Sequence, residues 1–124
     1  MKKLTALLFC ALAFITLTSC WHNDHDISIS YSEDGQYYSM NAQFPKSRTR
    51  DVENYLDRRI GSKSNISFEN TKTDATLTLD DHTTFYMKKY PGFVQIKLDK
   101  NENSSDAYHE IKSMCQGIKK VLAK

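Results

Sequence analysis

The sequence predicts a single α+β domain in the order ββαββββα, an antiparallel sheet with two helices packed on one face. Three observations carry that expectation. Short runs alternate apolar and polar residues, as half-buried strands require. Two longer stretches repeat apolar residues at intervals of three and four, the stripe of an amphipathic helix. The pairs Asp34-Gly35 and Pro91-Gly92 punctuate the runs with strong turn chemistry. The domain is expected to span residues 27–124, and about 100 residues suffice for one hydrophobic core.

Taken in order, Ile27, Ile29 and Tyr31 alternate with Ser28, Ser30 and Ser32. After the Asp34-Gly35 turn, Tyr38, Met40, Ala42 and Phe44 alternate with Tyr37, Ser39, Asn41 and Gln43, so the two runs read as a β-hairpin. Pro45 stops the ladder and Ser47 is a candidate helix N-cap. Val52, Tyr55, Leu56 and Ile60 then share one helical side, while Arg48, Arg50, Asn54, Asp57 and Arg58 lie largely elsewhere. Asp51, Glu53 and Asp57 are interleaved with the arginines, which reads as a solvated face rather than an anion site. Gly61 is a candidate left-handed C-cap. Four short strands should follow: one at Ile66 and Phe68, one at Ala75, Leu77 and Leu79, one over residues 84–90, and one over residues 93–99. In the third, Phe85 and Met87 face one way and Tyr86, Lys88 and Tyr90 the other; in the fourth, Val94, Ile96 and Leu98 point inward. Short turns between them make an antiparallel meander.

The last helix is predicted from Tyr108, Ile111, Met114, Cys115, Ile118, Val121 and Leu122, with Ser104, Ser105 or Asp106 as N-cap. Lys119, Lys120 and Lys124 suit the negative end of its dipole. Gly117 costs about 1 kcal/mol relative to alanine inside a helix, and a close approach to the sheet would account for it. Two amphipathic helices covering one face of a sheet resemble, in topology only, the helix-grip and TATA-binding-protein-like folds.

Ahead of the domain, Lys2 and Lys3 precede an apolar stretch over residues 4–17. That stretch is shorter than the ~20 residues a spanning helix needs, and its basic, apolar, small-residue order is that of a secretory signal. It ends in Leu17-Thr18-Ser19-Cys20, which resembles the lipobox of bacterial lipoproteins. The resemblance covers residues 1–20 and implies cleavage before Cys20, a diacylglycerol thioether on Cys20 and acylation (palmitate) of the new amine. Two or more acyl chains hold a protein stably on a bilayer, where one does not. Residue 21 is Trp rather than Asp, which in enteric-type sorting points to the outer membrane.

The expected organisation is therefore a signal peptide at 1–19, a lipid-anchored tether at 20–26 and one domain at 27–124. The whole chain has 17 Lys+Arg against 15 Asp+Glu, a formal charge of +2. Losing Lys2 and Lys3 leaves a neutral mature chain without the basic field that nucleic acid binding uses. Cys10 leaves with the signal and Cys20 carries lipid, so Cys115 stands alone and no internal disulfide is expected. His22, Asp24, His25 and Asp26 are ligand types, but nothing in the sequence fixes their geometry, and no metal or other cofactor is expected.

By strand parity, the face away from the helices should carry Tyr37, Tyr86, Lys88, Tyr90 and Phe93 among Ser, Thr, Asn and Gln. Tyrosine offers rigid contact area with a hydroxyl and is enriched at interfaces. These five residues are the candidate binding site; cross-strand ring pairing that stabilises the sheet is the competing explanation. Catalytic signatures are missing. His82 lies in a turn beside Asp80 and Asp81, and His109 is six residues from Cys115 on another helix face. The expected function is that of a lipid-anchored, non-catalytic protein-binding, accessory or inhibitor module of a bacterial cell envelope. Binding of a glycan or small ligand on the tyrosines is the alternative.

Overall fold

The computed structural model describes residues 27–64 and 66–124. The expected signal peptide at 1–19, the expected tether at 20–26 with Cys20, and Asn65 lie outside the described residues. Five antiparallel strands form one sheet: β1 (Ser28–Glu33), β2 (Tyr37–Gln43), β3 (Thr73–Thr78), β4 (Thr84–Tyr90) and β5 (Phe93–Asp99), in spatial order β1-β2-β5-β4-β3. Helix α1 is a continuous helical run: a 3-10 turn at Lys46–Arg48, α-helix at Thr49–Leu56, a π turn at Asp57–Gly61 and a last turn at Ser62–Ser64. Helix α2 is Ser105–Leu122. Both helices cover the same face, so the α+β architecture expected from the pattern is the one observed.

The core lies between them. Tyr38, Met40 and Ala42 from β2, Val94, Ile96 and Leu98 from β5, and Phe85 and Met87 from β4 are buried against Val52, Leu56, Ile60, Ile111, Met114, Cys115 and Ile118. Register explains the sorting. Met40 pairs with Ile96 and Ile96 with Met87, so that apolar row runs unbroken across the central strands, whereas the adjoining row of Ala42 and Val94 meets Lys89 on β4.

Four local expectations need correction. The segment at Ile66 and Phe68 forms no strand. Its backbone donors go to side chains of α1 instead: Phe68 N–H donates to Asp57 Oδ1 at 2.8 Å, and Asn70 N–H to Glu53 Oε1 at 3.2 Å. Phe68 is nevertheless fully buried, a contribution of roughly 1.5–3 kcal/mol. The second correction concerns Ser47, which caps nothing; α1 starts after Pro45 with Arg48 N–H donating to Pro45 O at 2.8 Å. Gly61 is not a left-handed cap either, because the helix runs through it as part of the π turn.

The last correction is to Gly117, which permits a close approach not to the sheet but to α1. A Cβ there would sit 1.8 Å from the Tyr55 hydroxyl. That hydroxyl donates to Met114 O at 3.0 Å and accepts from Arg59 at 2.7 Å, so Tyr55 fastens one helix to the other. The remaining caps follow simple chemistry. Ser104 Oγ accepts from Ala107 N–H at the start of α2. At its end, Arg48 donates to Val121 O at 2.9 Å and to Leu122 O and Lys124 O at 3.4 Å, a cation on the orphan carbonyls. Arg48 and Arg50 thus have structural partners, since Arg50 bonds Glu69 at 3.0 Å.

Candidate functional site

All five candidate residues, Tyr37, Tyr86, Lys88, Tyr90 and Phe93, stand on the sheet face away from the helices, as their parity requires. They do not form one patch. Tyr90 and Phe93 are register partners flanking the Pro91-Gly92 turn, with rings stacked 4.8 Å apart at 16°. Gly92 has φ +83°, the conformation a type II turn demands at that place. Tyr90 remains 42% exposed despite its stacking. Beside the pair, Gln43, Phe44, Lys46 and Pro91 bound a shallow hollow of about 290 Å³.

Tyr37 lies at the other end of β2 and β5, opposite Asp99, with the Lys97 ammonium 4.4 Å from its ring centroid. Tyr86 and Lys88 occupy the rows between. The Tyr86 hydroxyl donates to Asp74 Oδ1 at 2.7 Å, and that bond holds its pKa above the ordinary phenol value. Cross-strand pairing therefore accounts for part of the aromatic content: Tyr90 with Phe93 and Tyr37 with Lys97 are contacts within the sheet. The stacked pair and its hollow stay available outward.

Two features of the helix side were not anticipated. Lys89, on the inward parity of β4 with Phe85 and Met87, is 2% exposed and bonds Glu53 Oε2 at 2.7 Å; Glu53 is 4% exposed. The same ammonium donates to Thr71 O. Glu53, expected on a solvated helix face, is instead buried in this pair. A signal was present: a lysine falling on an apolar strand parity must find a buried partner.

The second feature lies at the opposite side of the sheet, between β1 and α2. Tyr31, Glu33 and Tyr38 form one wall and Lys112, Gln116, Lys119, Lys120 and Ala123 the other, around a groove of about 680 Å³. Tyr31 is 42% exposed although it sits on the helix-facing side of β1. Glu33 closes one end, held by Lys100 at 2.7 Å, Lys112 at 3.5 Å and the Tyr108 hydroxyl. The bonds from Lys100 and Tyr108 bring its pKa down to about 2. Tyr38 is buried, and its hydroxyl has no hydrogen-bond partner among the described residues.

The titratable groups weighed for catalysis are scattered. The Thr83 hydroxyl and then the Thr83 N–H, which donates to Asp81 Oδ1 at 3.1 Å, keep the Asp81 carboxyl below the ordinary range. His82 occupies the turn at φ +70°, and His109 leans on the Tyr108 ring. Cys115 is fully buried, and burial pushes its thiol up to about 12. Among the described residues no three His, Cys, Asp or Glu side chains gather as a metal site. Nor is any helix among them long and apolar enough to cross a membrane. No family model, curated protein or solved structure matches this chain.

Proposed function

We propose that the chain is a lipid-anchored, non-catalytic binding module of a bacterial cell envelope, tethered through Cys20 and engaging a protein partner with its helix-free sheet face. The anchor rests on the resemblance of residues 17–20 to a lipobox. The observation that carries the binding role is the Tyr90–Phe93 stack at the β4–β5 turn, a rigid aromatic platform left 42% exposed at Tyr90. Aromatic anchors of this kind, beside a hollow with polar rim residues, supply much of the energy of protein interfaces. A pull-down with the lipidated protein from envelope extracts should recover one stoichiometric partner, and Tyr90→Ala with Phe93→Ala should release it. Retention of the partner by the double variant removes the sheet face from the binding role.

A second reading draws on the same stack. Two nearly parallel rings beside Gln43 and Lys46 also suit a sugar or another flat ligand. A glycan array decides between them: hits abolished by Phe93→Ala favour the sugar, and an array without hits leaves the protein partner.

A further inference from the structure

The side of β1 away from β2 is a sheet edge, and the ladder fixes what it offers. Asp34 N–H donates to Tyr37 O, so Asp34 and Tyr37 form a hydrogen-bonded pair. In an antiparallel ladder such pairs alternate, which directs the backbone groups of Ser28, Ser30 and Ser32 to β2. Those of Ile29, Tyr31 and Glu33 point to the open edge. The same three residues turn their side chains to the helix face, where Ile29 packs on the core and Tyr31 and Glu33 line the groove beside α2. Edge strands are commonly protected by lysine, proline, a bulge or an inward-pointing charge. β1 has only the last, Glu33 at its turn end, and pairs residue for residue from Ser28 to Glu33.

The groove adds two further properties. It has an apolar floor at Tyr31 and Tyr38, the latter with its unsatisfied hydroxyl. Its α2 rim is basic. Lys112, Gln116, Lys119, Lys120 and Ala123 make one helical stripe. Lys112 is engaged with Glu33, whereas Lys119 and Lys120 enter no ion pair among the described residues. Glu33, the acid on the opposite wall, is already neutralised by Lys100 and Lys112.

We propose that this flank is a strand-addition site for an extended acidic segment of a partner protein. Such a segment pairs with the open backbone groups of β1 and lays alternate apolar side chains over Tyr31 and Tyr38. Its carboxylates reach Lys119 and Lys120. Main-chain bonds supply affinity in this mode, and the groove supplies selectivity. A second copy of the chain fits less well, because pairing β1 with β1 brings two basic rims to one seam. The site shares no residue with the Tyr90–Phe93 platform, so the two stand or fall separately.

The test uses the full chain and a fluorescent synthetic peptide that alternates Val with Thr and carries Glu at two of the Val positions. A Lys-for-Glu version and a version N-methylated on alternate backbone amides serve as controls. At low salt the Glu peptide should bind about tenfold tighter than the Lys peptide. It should slow amide exchange at Ile29, Tyr31 and Glu33, and lose binding when N-methylated. Lys119→Glu with Lys120→Glu should invert the preference, while Tyr90→Ala with Phe93→Ala should leave it unchanged. Equal binding of the two peptides, binding indifferent to N-methylation, or no binding overturns the proposal. So does a concentration-dependent dimer that protects the same amides, which assigns the edge to a second copy. Edge protection in the peptide-free chain that disappears in Asp24→Lys with Asp26→Lys assigns it to the chain's own tether and overturns it equally.

Discussion

The two flanks of the helix layer are built differently. On the β4 side, residues 66–72 wrap beneath α1 and tie it to the sheet. Phe68 fills the apolar space, and Glu53, Asp57 and Lys89 take up the backbone groups that a missing strand leaves free. On the β1 side nothing comparable is present among the described residues, and a groove of about 680 Å³ separates the edge strand from α2. The difference teaches that side-chain carboxylates can close a fold where a strand does not form. A flank without them keeps its backbone groups and apolar side chains open to another chain.

The comparison is broken most sharply at the closed flank. Lys89→Met leaves Glu53 buried without its cation and should cost about 3–5 kcal/mol, read as a lower urea midpoint. Adding Glu53→Leu should recover part of that loss, because the uncompensated charge goes with it. A double variant no more stable than Lys89→Met alone would show that the bonds to Asn70 and Thr71, rather than the charge pair, hold this flank.

Helix–helix fastening comes next. Gly117→Ala gains about 1 kcal/mol of helix propensity, yet its methyl meets the Tyr55 hydroxyl. Overpacking of this kind costs about 1–3 kcal/mol, and a fall in thermal midpoint is the expected result. A rise would mean that α2 shifts freely along α1.

At the open flank the sign reverses. Tyr38→Phe removes a buried hydroxyl that has no partner, and stability should rise by about 1 kcal/mol, measured by urea unfolding. A loss would reveal a hydrogen bond to that hydroxyl in solution.

The smallest effect belongs to Glu33, which is exposed. Its folded pKa lies near 2, below the ordinary carboxylate value of 4.5. Its contribution is therefore complete above about pH 4.5 and disappears as the pH falls through 2. Amide exchange at the end of β1 in the native protein and in Glu33→Gln should differ at pH 6 and converge toward pH 2. A constant difference across that range would separate the carboxylate from the stability of the edge.

Alternation and helical spacing made most of this fold legible. The parity of Tyr37, Tyr86, Lys88, Tyr90 and Phe93 placed all five on the correct face, and Pro91-Gly92 identified its own turn. The segment at Ile66 and Phe68 misled because two apolar residues at period 2 look alike whether their N–H groups meet a strand or a carboxylate. The cost of a glycine inside α2 pointed to a close approach at Gly117 but to the wrong neighbour, the sheet, because Tyr55 lies on the other helix. The β1 groove depends on where α2 rests across the sheet. That placement involves contacts between the helices, such as Tyr55 against Met114 and Gly117, which no local pattern encodes.

The strand order carries a consequence for how the chain reaches this state. β2 hydrogen-bonds to β5, from Gln43 opposite Phe93 to Tyr37 opposite Asp99, so half the chain must be in place before the centre of the sheet can close. An isolated hairpin is marginal in water, and the β1–β2 hairpin therefore waits for a neighbour supplied late in the sequence. The β3–β4 and β4–β5 hairpins share β4, and their local pairings supply that neighbour as a three-stranded meander. The long-range β2–β5 closure raises the contact order of the topology, which slows folding relative to a helical bundle of the same size.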